Sequence, residues 1–387
     1  MPESRVLPSL YVHVPFCIQR CAYCDYFSTV LEPGSYPEKF LTSLRQELEA
    51  TIIQNDISHF DTIYIGGGSP SALPIELLDE LCIILANFST VQTEVSLEIN
   101  PLDINADLLS LLSSSFINRL SIGIQSLDDK VRVACGRRGS AGQVLDSVDK
   151  LLGCTKIPWS VDVMYGLPHQ TAKSVSDTIS RVLELQPGHI SFYELILEPA
   201  SRLAVAINSR IQQLPSQDDT DASWTETLHT LQGSGFQRYE VSNFTQVGQN
   251  CRHNQHYWDL DTWYGLGPSA VGNKPIVDGK YLRHYNDPDL DNYCRNPTKA
   301  GIDETIEGND AIFEYIMLAL RTRHGLDMDR LAQQIPGIPR RKLIAAMADF
   351  PQFLQISGAC ISPTELGMDF LNVPLQAILT SLHEGGH

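Results

Sequence analysis

Leu10-Tyr11-Val12-His13-Val14-Pro15-Phe16-Cys17-Ile18-Gln19-Arg20-Cys21-Ala22-Tyr23-Cys24 is a short β-type run that leads into a loop carrying three cysteines in CxxxCxxC spacing. A four-iron cluster normally takes four cysteines. A 4Fe-4S cluster held by Cys17, Cys21 and Cys24 therefore keeps one iron without a protein ligand. An open metal position is where a substrate binds and reacts. Two other readings fit the same residues. His13 is close enough in sequence to be offered as a fourth ligand to zinc, although the second CxxC pair of a zinc ribbon is missing; the other is a disulfide. Cys82, Cys135, Cys154, Cys251, Cys294 and Cys360 are scattered singly and read as small buried apolar residues.

Working outward, β-type runs alternate with amphipathic stretches. Strands are expected at Leu10–Val14, Asp61–Ile65, Glu94–Ile99, Arg119–Ile124, Trp159–Met164 and His189–Ile196. Helices are expected at Tyr36–Asn55, Pro74–Phe88 and Asn105–Ser113, then up to about Leu152, and at Ser174–Leu185. Repeated β-then-α units predict parallel strands with crossover helices. Six such units fit an incomplete (β/α)6 TIM-like barrel better than a full eight-stranded one; an open doubly wound sheet is the alternative. The cysteines, Gly66-Gly67-Gly68-Ser69-Pro70, Glu98-Ile99-Asn100-Pro101, Gln125-Ser126 and Asp162 all fall toward the carboxyl ends of their strands, where barrel chemistry gathers.

Beyond about Glu198 the alternation stops. Gln212–Asp221 reads as an exposed connection, Thr220–Gln232 as a helix and Phe236–Val241 as a strand. Gly265–Tyr285 is rich in glycine and aromatic residues. Asp310–Arg321, Met328–Gln334 and Arg340–Asp349 read as helices. The expected division is a partial barrel over 1–235, an extension over 236–300 and a small, mostly helical domain over 301–387.

The chain has 387 residues, 43% hydrophobic and 19% charged, with a net charge of -18. That balance argues against a general nucleic-acid binder, which needs clustered Lys and Arg. No stretch approaches the roughly 20 apolar residues that span a bilayer, and Met1–Leu10 has no signal-like apolar run. A soluble, cytoplasmic protein is expected, in a compartment reducing enough for free thiolates.

Several residues invite a site. Gly66-Gly67-Gly68 lets backbone approach a ligand and offers amide donors. Glu98, at a strand end, can bind a ribose hydroxyl pair or be a solvated carboxylate. Asp162 and Arg137 stand among apolar neighbours, where a buried charge needs a partner; one reading pairs them with each other. Gln125 suggests an inward hydrogen-bonding group. Cys251-Arg252-His253-Asn254-Gln255-His256-Tyr257-Trp258 packs two histidines beside two aromatics. It reads as an iron-ligating histidine with a porphyrin wall, or as an aromatic core segment with satisfied histidines.

Tyr11-Val12-His13-Val14-Pro15-Phe16-Cys17 with Cys21 and Cys24 resembles the N-terminal motif of the coproporphyrinogen oxidase-like branch of radical S-adenosylmethionine (SAM) proteins. Gly66-Gly67-Gly68-Ser69-Pro70-Ser71 is similar to that branch's GGGTPS. Ser121-Ile122-Gly123-Ile124-Gln125-Ser126, Gly136-Arg137-Arg138 and Asp162-Val163-Met164-Tyr165-Gly166-Leu167-Pro168 continue the match in order. In that superfamily the amino and carboxylate groups of SAM bind the open iron, and an electron from the cluster cleaves SAM. The true oxidases carry a fourth cysteine two residues after the third, where this chain has Tyr26. HemW-type heme chaperones lack it and carry HNxxYW, which His253–Trp258 matches at every fixed position.

The resemblance therefore implies a heme chaperone with a 4Fe-4S cluster, SAM and heme. Its expected partners are heme-accepting proteins and an electron donor for the cluster, and it implies a homodimer. By motif, Tyr11, Gly67 and Glu98 would contact the SAM on the cluster. Tyr23, Gly68, Ser69, Gln125, Arg137 and Asp162 would line a second SAM site, and His253 would bind heme. Ser140 departs from the His usual in chaperone relatives. A radical SAM coproporphyrinogen III decarboxylase and a radical SAM methyltransferase remain the alternatives.

Overall fold

Six strands alternate polar and apolar side chains, and that alternation sets the architecture. They are β1 (Ser9–Val14), β2 (Thr62–Gly67), β3 (Glu94–Ile99), β4 (Arg119–Gln125), β5 (Trp159–Tyr165) and β6 (His189–Glu194). The computed structural model describes residues 7–32, 37–299 and 301–383. The strands lie in chain order, each parallel to the next. Helices cross between them: α1 (Pro37–Asn55), α2 (Ile75–Ala86), α3 (Ala106–Ser114), the pair α4 (Asp129–Ala134) and α5 (Ala141–Cys154), and α6 (Ala172–Glu184). The expected helix start at Tyr36 lies outside the described residues. This is the partial (β/α)6 barrel anticipated from the sequence.

One face of each strand is apolar: Leu10 and Val12, Ile63 and Ile65, Val95 and Leu97, Leu120 and Ile122, Val161 and Val163, Ile190 and Phe192 are all buried in one core beneath the helices. Each such side chain, fully buried, stabilises the fold by roughly 1.5–3 kcal/mol. The other face carries Tyr11, Tyr64, Glu98, Ser121, Asp162 and Ser191, which line a common cavity. Parallel strands covered on both faces usually read as continuous hydrophobic runs. Here period-two polarity survives because the barrel interior is a ligand-sized space and not a packed core.

Helix starts are locally encoded. Asn105 caps α3 through the Leu108 N–H, and Asp128 caps α4. Ser140 forms a capping box with Gln143 at the start of α5, which gives that departure from relatives a structural role.

The sheet continues past both ends of the six. β7 (Gln237–Arg238) and β8 (Asn243–Thr245) add antiparallel beyond β6. β9 (Trp263–Leu266) adds parallel to β1, followed by antiparallel β10 (Val271–Pro275), β11 (Tyr281–Asn286) and β12 (Gly301–Ile306). Only Gln237–Arg238 of the expected Phe236–Val241 strand joins the sheet. The Gln212–Asp221 connection is cut short because Ser216 caps α8 (Gln217–Gly233), whose first turn holds Asp218 and Asp219 where the helix dipole favours them. α7 (Arg202–Asn208) precedes it.

The C-terminal part is mostly helical, with a small three-stranded sheet of Leu326–Asp327, Cys360–Pro363 and Leu354–Ser357 that periodicity did not reveal. Its core takes in Leu260, Trp263 and Tyr281 from the preceding segment. Of the six single cysteines, Cys82, Cys135 and Cys251 are buried, whereas Cys154 and Cys360 are exposed and Cys294 is half-buried. Among the described residues no helix is long and apolar enough to cross a membrane.

Candidate functional site

A cavity of about 1050 Å³ opens at the carboxyl ends of the barrel strands. Small-molecule sites commonly run to about 300–1,000 Å³, so this one has room for more than one group. Cys17, Cys21 and Cys24 line it, together with Tyr11, Tyr23, Gly67, Gly68, Ser69, Glu98, Gln125, Arg137, Asp162 and His253. Every expected site residue thus faces one space.

The three thiols are free and half-buried. Burial pushes the Cys17 thiol up to about 11, against a lowering contact from Ser28, and burial raises Cys24 as well. Metal binding at such sulfurs displaces protons. Among the described residues no three His, Cys, Asp or Glu side chains converge on a single-ion site. His13 is not a fourth ligand. Its Nε2 donates to the Phe27 carbonyl at 2.8 Å, so its Nδ1 accepts from the Tyr11 hydroxyl at 3.0 Å.

The glycine run packs against this chain. Gly67 adopts φ +106, and a Cβ there would lie 2.7 Å from the His13 ring; a Cβ on Gly68 would meet the Phe16 carbonyl at 2.6 Å. The amides expected to face a ligand are already used: Gly67 N–H donates to Glu98 at 3.2 Å, Gly68 N–H to Val14 O at 2.8 Å and Ser69 N–H to Phe16 O at 2.8 Å. The run therefore offers close approach and carbonyl oxygen, which suits an amino group.

Glu98 also accepts from Tyr64 at 2.9 Å. Burial, then the charge of Asp162, raises its pKa to about 7 despite those two donors. Asp162 is itself raised by burial, opposed by Ser191 and Ser121. It does not pair with Arg137, whose guanidinium donates to Cys21 Sγ at 3.5 Å and to Gly123 O. The Ser69 hydroxyl joins Ser71 and Asp103, and Asp103 pairs with Arg138 at 2.6 Å. Gln125 sits at φ +66 beside a register shift between β4 and β5 and accepts from Tyr193 at 3.2 Å.

The far end of the cavity is closed by α9 (Arg252–Trp258), which carries the HNxxYW residues. It lies at the amino ends of the strands, opposite the cysteines. Glu94, the first residue of β3, accepts from the Arg252 and His253 N–H groups at 3.1 and 3.0 Å. His253 is 1% exposed and stacks on Tyr64 at 5.1 Å. Its Nδ1 is hydrogen-bonded to Thr62 at 2.7 Å and its Nε2 to Tyr257 at 2.8 Å. Burial, with the nearby His256 charge, lowers its pKa to about 3, so it is a neutral imidazole.

His256 bridges Asp61 at 2.7 Å and Asp261 at 2.9 Å. Burial opposes its charge, but those bonds prevail and its pKa is raised. Both histidines are therefore satisfied, and His253, Asn254 and Tyr257 alone of the motif reach the cavity. Asp61, Thr62, Glu94, Asp103 and Tyr193 were not singled out from the sequence. For Thr62, Glu94 and Tyr193 the available signal was a polar residue at every second position of otherwise apolar strands; Asp61 and Asp103 lie outside the strands and carried no such signal.

The radical SAM superfamily matches residues 11–182, and the HemN C-terminal domain residues 306–370. The chain is 32% identical over 326 residues to the heme chaperone HemW of Lactococcus lactis, covering 83% of each. It is 30% identical over 338 residues to that of Bacillus subtilis, covering 85% of this chain and 87% of the relative. Against that of Escherichia coli it is 31% identical over 280 residues, covering 71% and 72%. The solved coproporphyrinogen III oxidase (HemN) of Escherichia coli, a radical SAM enzyme, shares the fold with a TM-score of 0.80 at 23% identity, covering 97% of this chain and 91% of that one.

Proposed function

This chain belongs to the HemW family of the radical SAM superfamily, and we propose on that premise that it is a cytoplasmic heme chaperone, which binds heme and delivers it to acceptor proteins. Cys17, Cys21 and Cys24 would hold a 4Fe-4S cluster, whose iron without a protein ligand would be open to an exchangeable SAM. The observation that carries the reading is the shared cavity, with three thiols at one end and the HNxxYW helix at the other. When bound, the cluster supplies a coordination site for the SAM amino and carboxylate groups and a source of one electron.

The chain's own residues divide the work. Tyr11 is oriented by His13, and Gly67 and Glu98 present a close backbone and a carboxylate to the first SAM. Glu98, near pKa 7, gains charge when a cationic group approaches. Tyr23, Gly68, Ser69, Gln125, Arg137 and Asp162 line the space next to it, which would take a second SAM. His253 supplies the heme ligand. With both nitrogens engaged, it ligates iron only after the Tyr257 or Thr62 hydroxyl gives way.

The test is anaerobic reconstitution followed by heme titration of the protein and of His253→Ala. About four irons and four sulfides per chain are expected, with a heme absorption band that the variant loses. Equal heme binding by both proteins removes His253 from the site, and no heme binding by either defeats the chaperone reading. Formation of protoporphyrinogen from coproporphyrinogen III in the same preparation would favour the oxidase instead.

A further inference from the structure

Arg137 stands in a place that its family resemblance does not account for. Its Nη1 donates to Cys21 Sγ at 3.5 Å and its Nη2 to the Gly123 carbonyl. Its Nε is buried without a partner. Among the described residues no carboxylate lies within ion-pair distance of it, whereas the adjacent Arg138 is paired with Asp103 at 2.6 Å. Half-buried cations beside a cavity are ordinarily compensated, and the Cys21 sulfur that Arg137 touches is a group able to become anionic.

The contact is built in. The Gln19 side chain donates to Gly136 O at 2.9 Å, and Ala22 N–H donates to Cys135 O at 2.8 Å. The cysteine loop and the Arg137 loop are thereby stapled on either side of Cys21. Beneath them Arg132, 1% exposed, donates to the carbonyls of Ile124, Ser126, Arg138 and Gly139. One buried guanidinium thus ties the end of β4 to the loop that carries Arg137.

We propose that Arg137 sets the reduction potential of the cluster by placing a fixed cation and an N–H donor on the Cys21 sulfur. This rests on the reading that Cys17, Cys21 and Cys24 hold that cluster. One-electron reduction, from an external low-potential donor, adds negative charge to an assembly whose thiolates are already anionic. A guanidinium stays protonated throughout, so it stabilises the reduced form more than the oxidised one. Hydrogen bonds to sulfur and net charge are the levers by which proteins move such potentials. Arg137 is a positioning residue here, acting through Cys21.

The full-length protein, reconstituted anaerobically, is titrated with dithionite and followed by electron paramagnetic resonance, alongside Arg137→Gln and Arg137→Lys. At the poise where wild type is half reduced, Arg137→Gln is expected to have a reduced-to-oxidised ratio at least about tenfold lower, a 59 mV fall for one electron. Arg137→Lys should fall less, and the Fe–S(Cys) stretching bands in resonance Raman spectra should shift in both. An unchanged midpoint in Arg137→Gln with full iron and sulfide overturns the proposal. Loss of the cluster from a folded Arg137→Gln overturns it too, since that makes the residue a requirement for assembly. If Arg137→Gln does not fold, Arg137→Lys is judged by the same criterion. Wild-type protein without inorganic sulfide would defeat the cluster reading itself, a result distinct from all of these.

Discussion

The carboxylate of Glu94 accepts the backbone N–H of His253 at 3.0 Å across 159 positions of sequence. The first residue of a barrel strand thus caps the helix that carries the HNxxYW residues. It holds His253 over Tyr64 and under the cavity.

Glu94→Ala removes acceptors from two N–H groups at the helix start. Loss of a cap costs about 0.5–2 kcal/mol, and stranding buried donors adds to it. The urea midpoint should fall by an amount in this range or somewhat above it, and heme affinity should fall with it. An unchanged midpoint would show that Arg252 and its partners hold the helix unaided.

The Asp61–His256–Asp261 bridge predicts a pH-dependent contribution. The His256 pKa is raised in the fold, so its stabilisation is complete below the unfolded value of about 6.5 and disappears as pH rises through the folded value. Asp61 is lowered, because its bonds to His256 and Arg252 outweigh burial; its share is present above about 3.9 and lost as pH falls through the folded value. The stability gap between wild type and His256→Gln should therefore be wider at pH 6 than at pH 9. Equal gaps in urea melts at the two pH values would refute a charged His256.

Gly67→Ala forces a side chain to φ +106 and a Cβ to within 2.7 Å of His13. The backbone strain alone costs about 1–3 kcal/mol. Displacing His13 also breaks its bonds to Tyr11 and Phe27. We expect a lower melting temperature and loss of SAM binding by calorimetry. Wild-type SAM affinity in this variant would separate Gly67 from the SAM site.

Glu47 of α1 is buried and accepts from Gly267 N–H at 2.9 Å, Asn286 at 2.7 Å and Tyr293 at 2.5 Å. Burial raises its pKa to about 7 despite these donors. Glu47→Leu removes the acceptor of three buried donors, of which Asn286 keeps the Gly267 carbonyl at 2.8 Å; each donor left stranded costs about 1–3 kcal/mol. It should be among the most destabilising single changes, and hydrogen exchange should quicken first in residues 265–295. Protection lost uniformly over the chain would contradict a local role in joining α1 to the extension.

Tyr257→Phe frees Nε2 of His253. If His253 ligates heme iron, the variant should bind heme more tightly, by the roughly 2–10-fold that a net hydrogen bond of about 0.5–1.5 kcal/mol represents. Unchanged or weaker binding would show that Tyr257 does not compete for that nitrogen.

Much of the first half was legible because its signals are local. Each of the six barrel strands was found to within two residues, since a period of two needs only a few neighbours to show. The cysteine loop and the polar strand ends lie within single segments. The extension was not legible. β9 and β10 each hold one glycine; a Cβ on Gly265 would lie 2.4 Å from the Val271 carbonyl oxygen, and one on Gly272 would be tight at 3.3 Å. Without side chains at those positions there is no alternation to read.

The residues alone determined the barrel, the cysteine spacing and part of the set of groups that line the cavity, because these follow from side-chain period and short motifs. Only the tertiary structure decided that Arg137 turns to Cys21 and away from Asp162, and that the glycine amides are already taken. Only it decided that the HNxxYW helix lies at the opposite end of the barrel from the cysteines, with both His253 nitrogens bonded. Most of those outcomes depend on which donor meets which acceptor across tens of residues to nearly two hundred, from the 31 positions between Gly67 and Glu98 to the 195 between Asp61 and His256, and no local periodicity encodes that choice.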